Sequence, residues 1–216
     1  MVFLIFSAFA VAFSFVTTRL IGHILPSGDF RGLTVAVIAL AFFYLYALVF
    51  FRIFLLLMPL KEGEIAINSK EEFGYHVYLL FYLIYFYPIM RSGFVPVPLM
   101  RLFYIALGAR LGHNTYSAGI IYDPHLVSIG DNSLIGQYAL LMPHAIDGKR
   151  LAHSCIKIGN NVTIGAHAVI MSGVTIGEDA IVAVGAVVPK GSRIGIGEIW
   201  GGIPARKIKD IDMSYK

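Results

Sequence analysis

The residues best suited to chemistry are the histidines. Seven occur in 216 residues. His23 and His76 sit at the edges of apolar runs and read as structural, whereas His113, His125, His144, His153 and His167 fall in the second half. His144 stands in Pro143-His144-Ala145-Ile146-Asp147, with Lys149, Arg150 and His153 close behind. A neutral imidazole, with a reference pKa of about 6.5, takes the proton of a hydroxyl as that hydroxyl attacks, which contributes about 10²- to 10⁴-fold to a transfer reaction. Asp147, three residues on, either orients such a base or caps the turn that follows. Cys155 is the only cysteine, which excludes an intrachain disulfide and suits a reducing compartment. Near His153 it suggests a thiol nucleophile, but with no third group to orient it a lone cysteine reads as a small buried hydrophobe.

The repeat around these residues says what holds them. Aliphatic residues fall at every sixth position: Ile158, Ile164, Ile170, Ile176, Val182, Val188 and Ile194. A small residue often follows, as in Ile158-Gly159 and Ile176-Gly177, and a compact one sits four positions on: Val162, Ala168, Val174, Ala180, Ala186, Ser192. A period of six is neither the helical 3.6 nor strand alternation. It predicts a parallel β-helix in which three hexads close one triangular turn, with stacked turns hydrogen-bonded about 4.8 Å apart over a buried aliphatic column. Upstream, Leu111, Ile129, Ile135 and Leu141 share the grid, with Ser117 and Asp123 as weaker members. The step from Leu141 to Ile158 breaks phase. Ending the hexad at Ile146 leaves residues 147–157 as a polar excursion of about eleven residues, and a single interruption of a regular solenoid exposes a loop for function. His144 lies in the last hexad before it.

Residues 111–209 resemble the left-handed β-helix hexapeptide-repeat acyltransferases, which include the maltose, galactoside and serine acetyltransferases. The resemblance covers a little under half of the chain. It rests on the in-phase hexads, on Pro143-His144-Ala145-Ile146-Asp147, on the restart Ile158-Gly159-Asn160-Asn161-Val162-Thr163-Ile164-Gly165, and on the ending Gly202-Ile203-Pro204-Ala205-Arg206-Lys207-Ile208. It implies the left hand of the coil, against the right-handed crossover rule. It further implies a homotrimer, acetyl-CoA as donor and direct attack in a ternary complex, with His144 at the family's catalytic histidine. Charge developing on the thioester oxygen needs a backbone or side-chain donor. The coenzyme would lie in a groove between coils of the trimer. Gly165, Ala166, Ala183 and Gly185 are its small-residue candidates, although tight corners need small residues in any case. Of the basic residues near the end of the coil, Lys190, Arg193, Arg206 and Lys207, the two that match family positions for the coenzyme phosphates are Lys190 and Arg206. In the family such an excursion reaches a neighbouring subunit's site, which makes Lys149, Arg150 and His153 acceptor candidates. Trp200 either caps the column or packs on the adenine. Asn161-Val162-Thr163 has the glycosylation pattern but reads as a hexad corner.

The chain is too apolar for an ordinary soluble domain: 57% hydrophobic, 14% charged, with a mean hydropathy of +0.75. The net charge of +4 forms no basic stripe, which excludes nucleic acid as a partner. Residues 2–21 read as a transmembrane helix, without the basic start or cleavage site of a signal peptide. A second run, residues 33–60, is broken only by Arg52, which either snorkels or faces a protein interior. Residues 61–75 read as a mixed-charge loop. Residues 76–90 are apolar and aromatic but short for a span. Residues 99–110 read as an amphipathic connecting helix on the membrane surface. The expected division is a membrane helical region 1–98, the connecting helix 99–110, the β-helix 111–197 with its excursion 147–157, and a C-terminal cap and tail 198–216. Three spans with the N-terminus outside, or two with a re-entrant third run, both leave the coil in the cytoplasm by the positive-inside rule.

These readings converge on an integral protein of a bacterial inner membrane. It would move an acetyl group from acetyl-CoA to a hydroxyl, or less readily an amine, of a membrane-associated acceptor such as a lipid-linked sugar or cell-envelope glycan precursor. A non-catalytic solenoid scaffold in the lipid bilayer is the main alternative. A zinc site like that of the γ-class carbonic anhydrases needs a His-x4-His pair, which the gaps His113 to His125 and His144 to His153 do not supply; no metal is expected.

Overall fold

The computed structural model describes residues 1–24, 28–148 and 150–212. The chain divides into two compact units, Met1–Leu60 with Lys70–Pro88, and Lys61–Ser69 with Ile89–Lys216.

The first unit is helical. Val2–Ile21, Arg31–Leu57 and Lys70–Arg91 are each long and apolar enough to cross a membrane. The third is longer than its apolar run suggests because the helix starts at Lys70, where Glu71 and Glu72 occupy the first turn and complement the helix dipole. Buried aromatic rings pack the helices together: Phe81 meets Phe3 edge-on at 5.1 Å and stacks on Phe54 at 5.9 Å. Two short hydrogen bonds add polar glue. Ser14 Oγ donates to the Ala39 carbonyl at 2.7 Å, and the Tyr85 hydroxyl donates to Ser7 Oγ at 2.7 Å. Arg52 points outward rather than into the helix pack, the arrangement that snorkelling requires.

The second unit is a left-handed parallel β-helix of hexapeptide repeats whose coil has three sheets, with a small fourth sheet beside it. Leu111, Ile129, Ile158, Ile176 and Ile194 stack on the first side. Ser117, Ile135, Ile164, Val182 and Trp200 stack on the second, and Ile121, Leu141, Ile170 and Val188 on the third. Ile135, Leu141, Ile164, Ile170, Val182 and Val188 are fully buried. Three residues after most anchors the backbone turns left-handed, at Asn132, Tyr138, Asn161, His167, Gly173, Asp179, Gly185 and Gly191 among others. Most of these are Asn, Asp or Gly because that conformation costs other residues about 1–2 kcal/mol.

Two departures from the grid build the site. The third side of the first turn is Ile121, not Asp123, since Ile121 pairs with Leu141. An aliphatic fills the apolar column where a carboxylate would be costly. Asp123 is displaced into the corner with φ +44, ahead of a single 3-10 turn, Pro124–Leu126. The excursion is a β-hairpin rather than a loop. Strands His144–Asp147 and Arg150–His153 turn at Gly148, φ +65, and the coil has resumed by Ile156. Ile129 to Ile158 is a step of 29 residues where neighbouring steps are 18, so the insertion is eleven residues, as the phase break requires. Gly63–Ile65, within the expected mixed-charge loop, pairs antiparallel with Arg150–His153 as a third strand.

Both ends of the coil are covered. The connecting helix runs Val97–Leu107 and buries Met100, Tyr104 and Leu107. The Tyr104 hydroxyl donates to the Gly119 carbonyl at 2.8 Å and accepts from the Ile121 N–H at 3.3 Å. The apolar face expected on a membrane surface is thus spent on the first turn, and a second stripe, Leu99 and Leu102, stays exposed. At the other end Glu198–Gly202 and Ala205–Asp210 form a hairpin across the cis Ile203–Pro204 bond, and Trp200 continues the second side.

Candidate active site

One corner of the triangle, between the third and first sides, gathers the chemistry turn by turn. It carries Asp123 in the first turn, the His144 hairpin in the second, Ser172 and Gly173 in the third, and Lys190 and Gly191 in the fourth. Strand alternation then sorts the hairpin into two faces. The cross-strand pairs His144 with His153 and Ile146 with Leu151 share one face; Ala145 with Ala152 and Asp147 with Arg150 share the other.

On the first face His144 Nδ1 lies 2.5 Å from Asp123 Oδ2, and the Asp123 side chain is 2% exposed against 22% for His144. An Nδ1–H donated to the carboxylate leaves Nε2 as the basic nitrogen. Tyr122 meets the His144 ring edge-on at 5.8 Å. Burial by itself would lower the His144 pKa; the hydrogen bond and charge of Asp123 outweigh it, and the net direction is upward. His153, fully buried across the strand pair, goes the other way. Burial lowers it and the neighbouring His144 adds to that, against the pull of Asp123 and the Lys61 backbone, so its neutral form is favoured.

The second face borders a cleft of about 380 Å³ lined by Lys157, Lys190, Arg193, Ser154, Thr175 and Glu62, among others. Here Asp147 is ion-paired with Lys190. Asp147 therefore does not orient His144: an odd spacing along one strand puts the two on opposite faces, and Asp123 fills the role instead. Arg150 is exposed, with Glu64 at 3.7 Å, and Lys149 lies outside the described residues. His153 joins His144, while Arg150 faces away from it.

The coenzyme candidates separate in the same way. Gly165, Ala166, Ala183 and Gly185 stack on the next corner, between the second and third sides, where the Gly185 N–H donates to the Ala166 carbonyl at 2.9 Å. Within one chain they do not share the corner of His144. A Cβ on Gly165 would sit 2.4 Å from the Val184 backbone nitrogen, so packing alone demands glycine there. Arg206 lies in the terminal hairpin and donates to the Ala205 carbonyl at 3.0 Å. Lys207 is held by Glu198 and Asp210 at 2.9 and 2.7 Å. Lys207, the Gly195 N–H and Trp200 together pull Glu198 down to about 2. Burial and Glu62 push the Cys155 thiol up to about 11, which removes its thiolate at neutral pH. Among the described residues no three of His, Cys, Asp and Glu are grouped to hold a metal ion.

Sequence reasoning missed Asp123 as a partner of His144. Its signal was a carboxylate at a grid position that elsewhere holds an aliphatic.

Residues 155–190 match the family model described as bacterial transferase hexapeptide (six repeats), so this stretch of the coil carries that repeat. A delta-poly-L-ornithine synthetase of Acinetobacter baumannii (strain AB307-0294) is 31% identical over 119 residues, 55% of this chain and 9% of that protein. A hexapeptide-repeat acetyltransferase of Vibrio cholerae O1 biovar eltor, solved with acetyl coenzyme A, is 30% identical over 49% of this chain and 61% of its own, with a TM-score of 0.44. A galactoside acetyltransferase solved with coenzyme A is 32% identical over 49% of this chain and 56% of its own, with a TM-score of 0.43. The chain spans less than a tenth of the curated relative and under two thirds of each of these two structures.

Proposed function

We propose that this protein is a membrane-anchored acyltransferase that moves an acetyl group from acetyl-CoA to a hydroxyl, or less readily an amine, of a membrane-associated acceptor. The observation that carries the reading is the 2.5 Å contact between buried Asp123 and His144 on the edge of a hexapeptide coil. In this reaction His144 Nε2 takes the acceptor proton as the acceptor oxygen bonds to the thioester carbonyl carbon. The C–S bond then breaks, and the imidazolium returns the proton to the departing thiolate. Asp123 fixes the tautomer and stabilises the imidazolium between those two transfers. Lys190 and Arg206 are the proposed phosphate contacts; Lys157 and Arg193 beside Lys190 support an anionic occupant of that cleft. Because Gly165, Ala166, Ala183 and Gly185 occupy a different corner from His144, a coenzyme touching both sets needs two chains, which favours a homotrimer. Three candidate spans and the positive-inside rule favour an inner-membrane protein with a cytoplasmic coil, where acetyl-CoA is found. The tether then raises encounters with a lipid-linked sugar or glycan precursor.

The test is thermal unfolding of the detergent-solubilised protein with and without acetyl-CoA, for the parent and His144→Ala. Coenzyme at 100 times Kd stabilises a binding-competent fold by about 2.7 kcal/mol. A shift in both proteins is expected, since His144 acts in chemistry rather than in binding. No shift in either at millimolar coenzyme sinks the acetyl-CoA reading.

A further inference from the structure

The strand Gly63–Ile65 has no place in a hexapeptide coil, yet it pairs with the return strand of the His144 hairpin. Gly63 sits opposite His153 and Ile65 opposite Leu151. Glu62 accepts the Cys155 N–H at 3.3 Å just beyond the hairpin, and the Lys61 backbone is near enough to the His153 ring to favour its charged form. Segment 61–65 therefore grips the return strand along its length. A two-stranded hairpin is marginal by itself in water, and a third strand changes that. Gly63 takes φ +118 with open space where a Cβ would point, so glycine is needed there for the backbone and not for room. In sequence the segment joins Arg31–Leu57 to Lys70–Arg91, two of the helices able to cross a membrane.

We infer that residues 61–65 and His153 form a positioning unit for His144: the link between two candidate spans completes the catalytic hairpin and holds its base in register with Asp123. This rests on the acyltransferase reading. His153 is a positioning residue, acting through the hairpin rather than on substrate. Its fully buried ring faces His144 directly across the strand pair, so a change in how the ring is held moves the base.

The experiment uses the full chain in proteoliposomes, with acetyl-CoA turnover to water read as free thiol and coenzyme-induced thermal stabilisation read in parallel. Gly63→Val forbids the φ that keeps the strand in register. It is expected to lower kcat about 10- to 100-fold with the KM for acetyl-CoA and the thermal shift unchanged. His153→Gln keeps a polar side chain beside the Lys61 backbone and is expected to retain most of the rate that His153→Leu loses. Wild-type kcat in both Gly63→Val and His153→Leu overturns the inference. So does a His153→Gln no better than His153→Leu, which reduces His153 to packing. If Gly63→Val does not fold, the His153 pair decides alone. Wild-type turnover in His144→Ala is a different outcome and refutes His144 as the base, whereas absence of any coenzyme-induced stabilisation refutes the acyltransferase reading itself.

Discussion

The pairing of Asp123 with His144 sets how the site responds to pH. The base works only when neutral, so the rate should rise with pH through the His144 pKa, which Asp123 holds above its ordinary value. Asp123→Asn removes the raising charge and leaves burial, which lowers; the rising limb of the pH–rate profile should move to lower pH. A limb that stays put would mean that another group titrates. The same shift has a stability sign. A raised folded pKa favours the folded state when His144 is protonated, so this contribution is full below the unfolded histidine pKa and is lost as pH climbs through the folded one. Asp123→Asn should therefore destabilise the protein more at pH 5 than at pH 8, measured by denaturant melts. Sequence reading singles out His144 because a local motif and a phase break mark it. It passed over Asp123 because their 21-residue separation closes only when one coil turn stacks on the next.

At the scale of elements, the hexads were legible because each obeys one local rule: a buried anchor, a left-handed corner, a small residue. Ile164→Ala or Ile170→Ala should each cost about 2–5 kcal/mol, since both side chains are fully buried in the column. The glycines of the second corner divide by mechanism. Gly185→Ala meets no atom and should cost only the left-handed backbone, about 1–2 kcal/mol. Gly165→Val collides with the Val184 backbone and should unfold the coil at that turn, so loss of coenzyme binding there would carry no information about the coenzyme. Equal melting points for these two variants would contradict the packing account. The hairpin and the strand Gly63–Ile65 were not legible. Strands of three or four residues carry no periodic signature, and their pairing joins segments about 90 residues apart. The two readings of Asp147 stayed open for the same reason, because a loop has no faces whereas a strand puts His144 and Asp147 on opposite ones.

For the molecule as a whole, composition alone separated an apolar helical half from a polar repeating one. The uncertain point was the third helix, whose apolar run is short but whose helix extends back to Lys70. With three candidate spans, the protein should stay in the membrane pellet through alkaline carbonate and high-salt washes and dissolve only in detergent. Release by carbonate would mean that the helices do not span. The central claim, that His144 is the base of an acetyl transfer, meets its most direct test in free-thiol release from acetyl-CoA by the parent and His144→Ala at equal, thermally verified folding. The account predicts a rate about 10²- to 10⁴-fold lower in the variant with coenzyme stabilisation retained. Equal rates in the two proteins would contradict it.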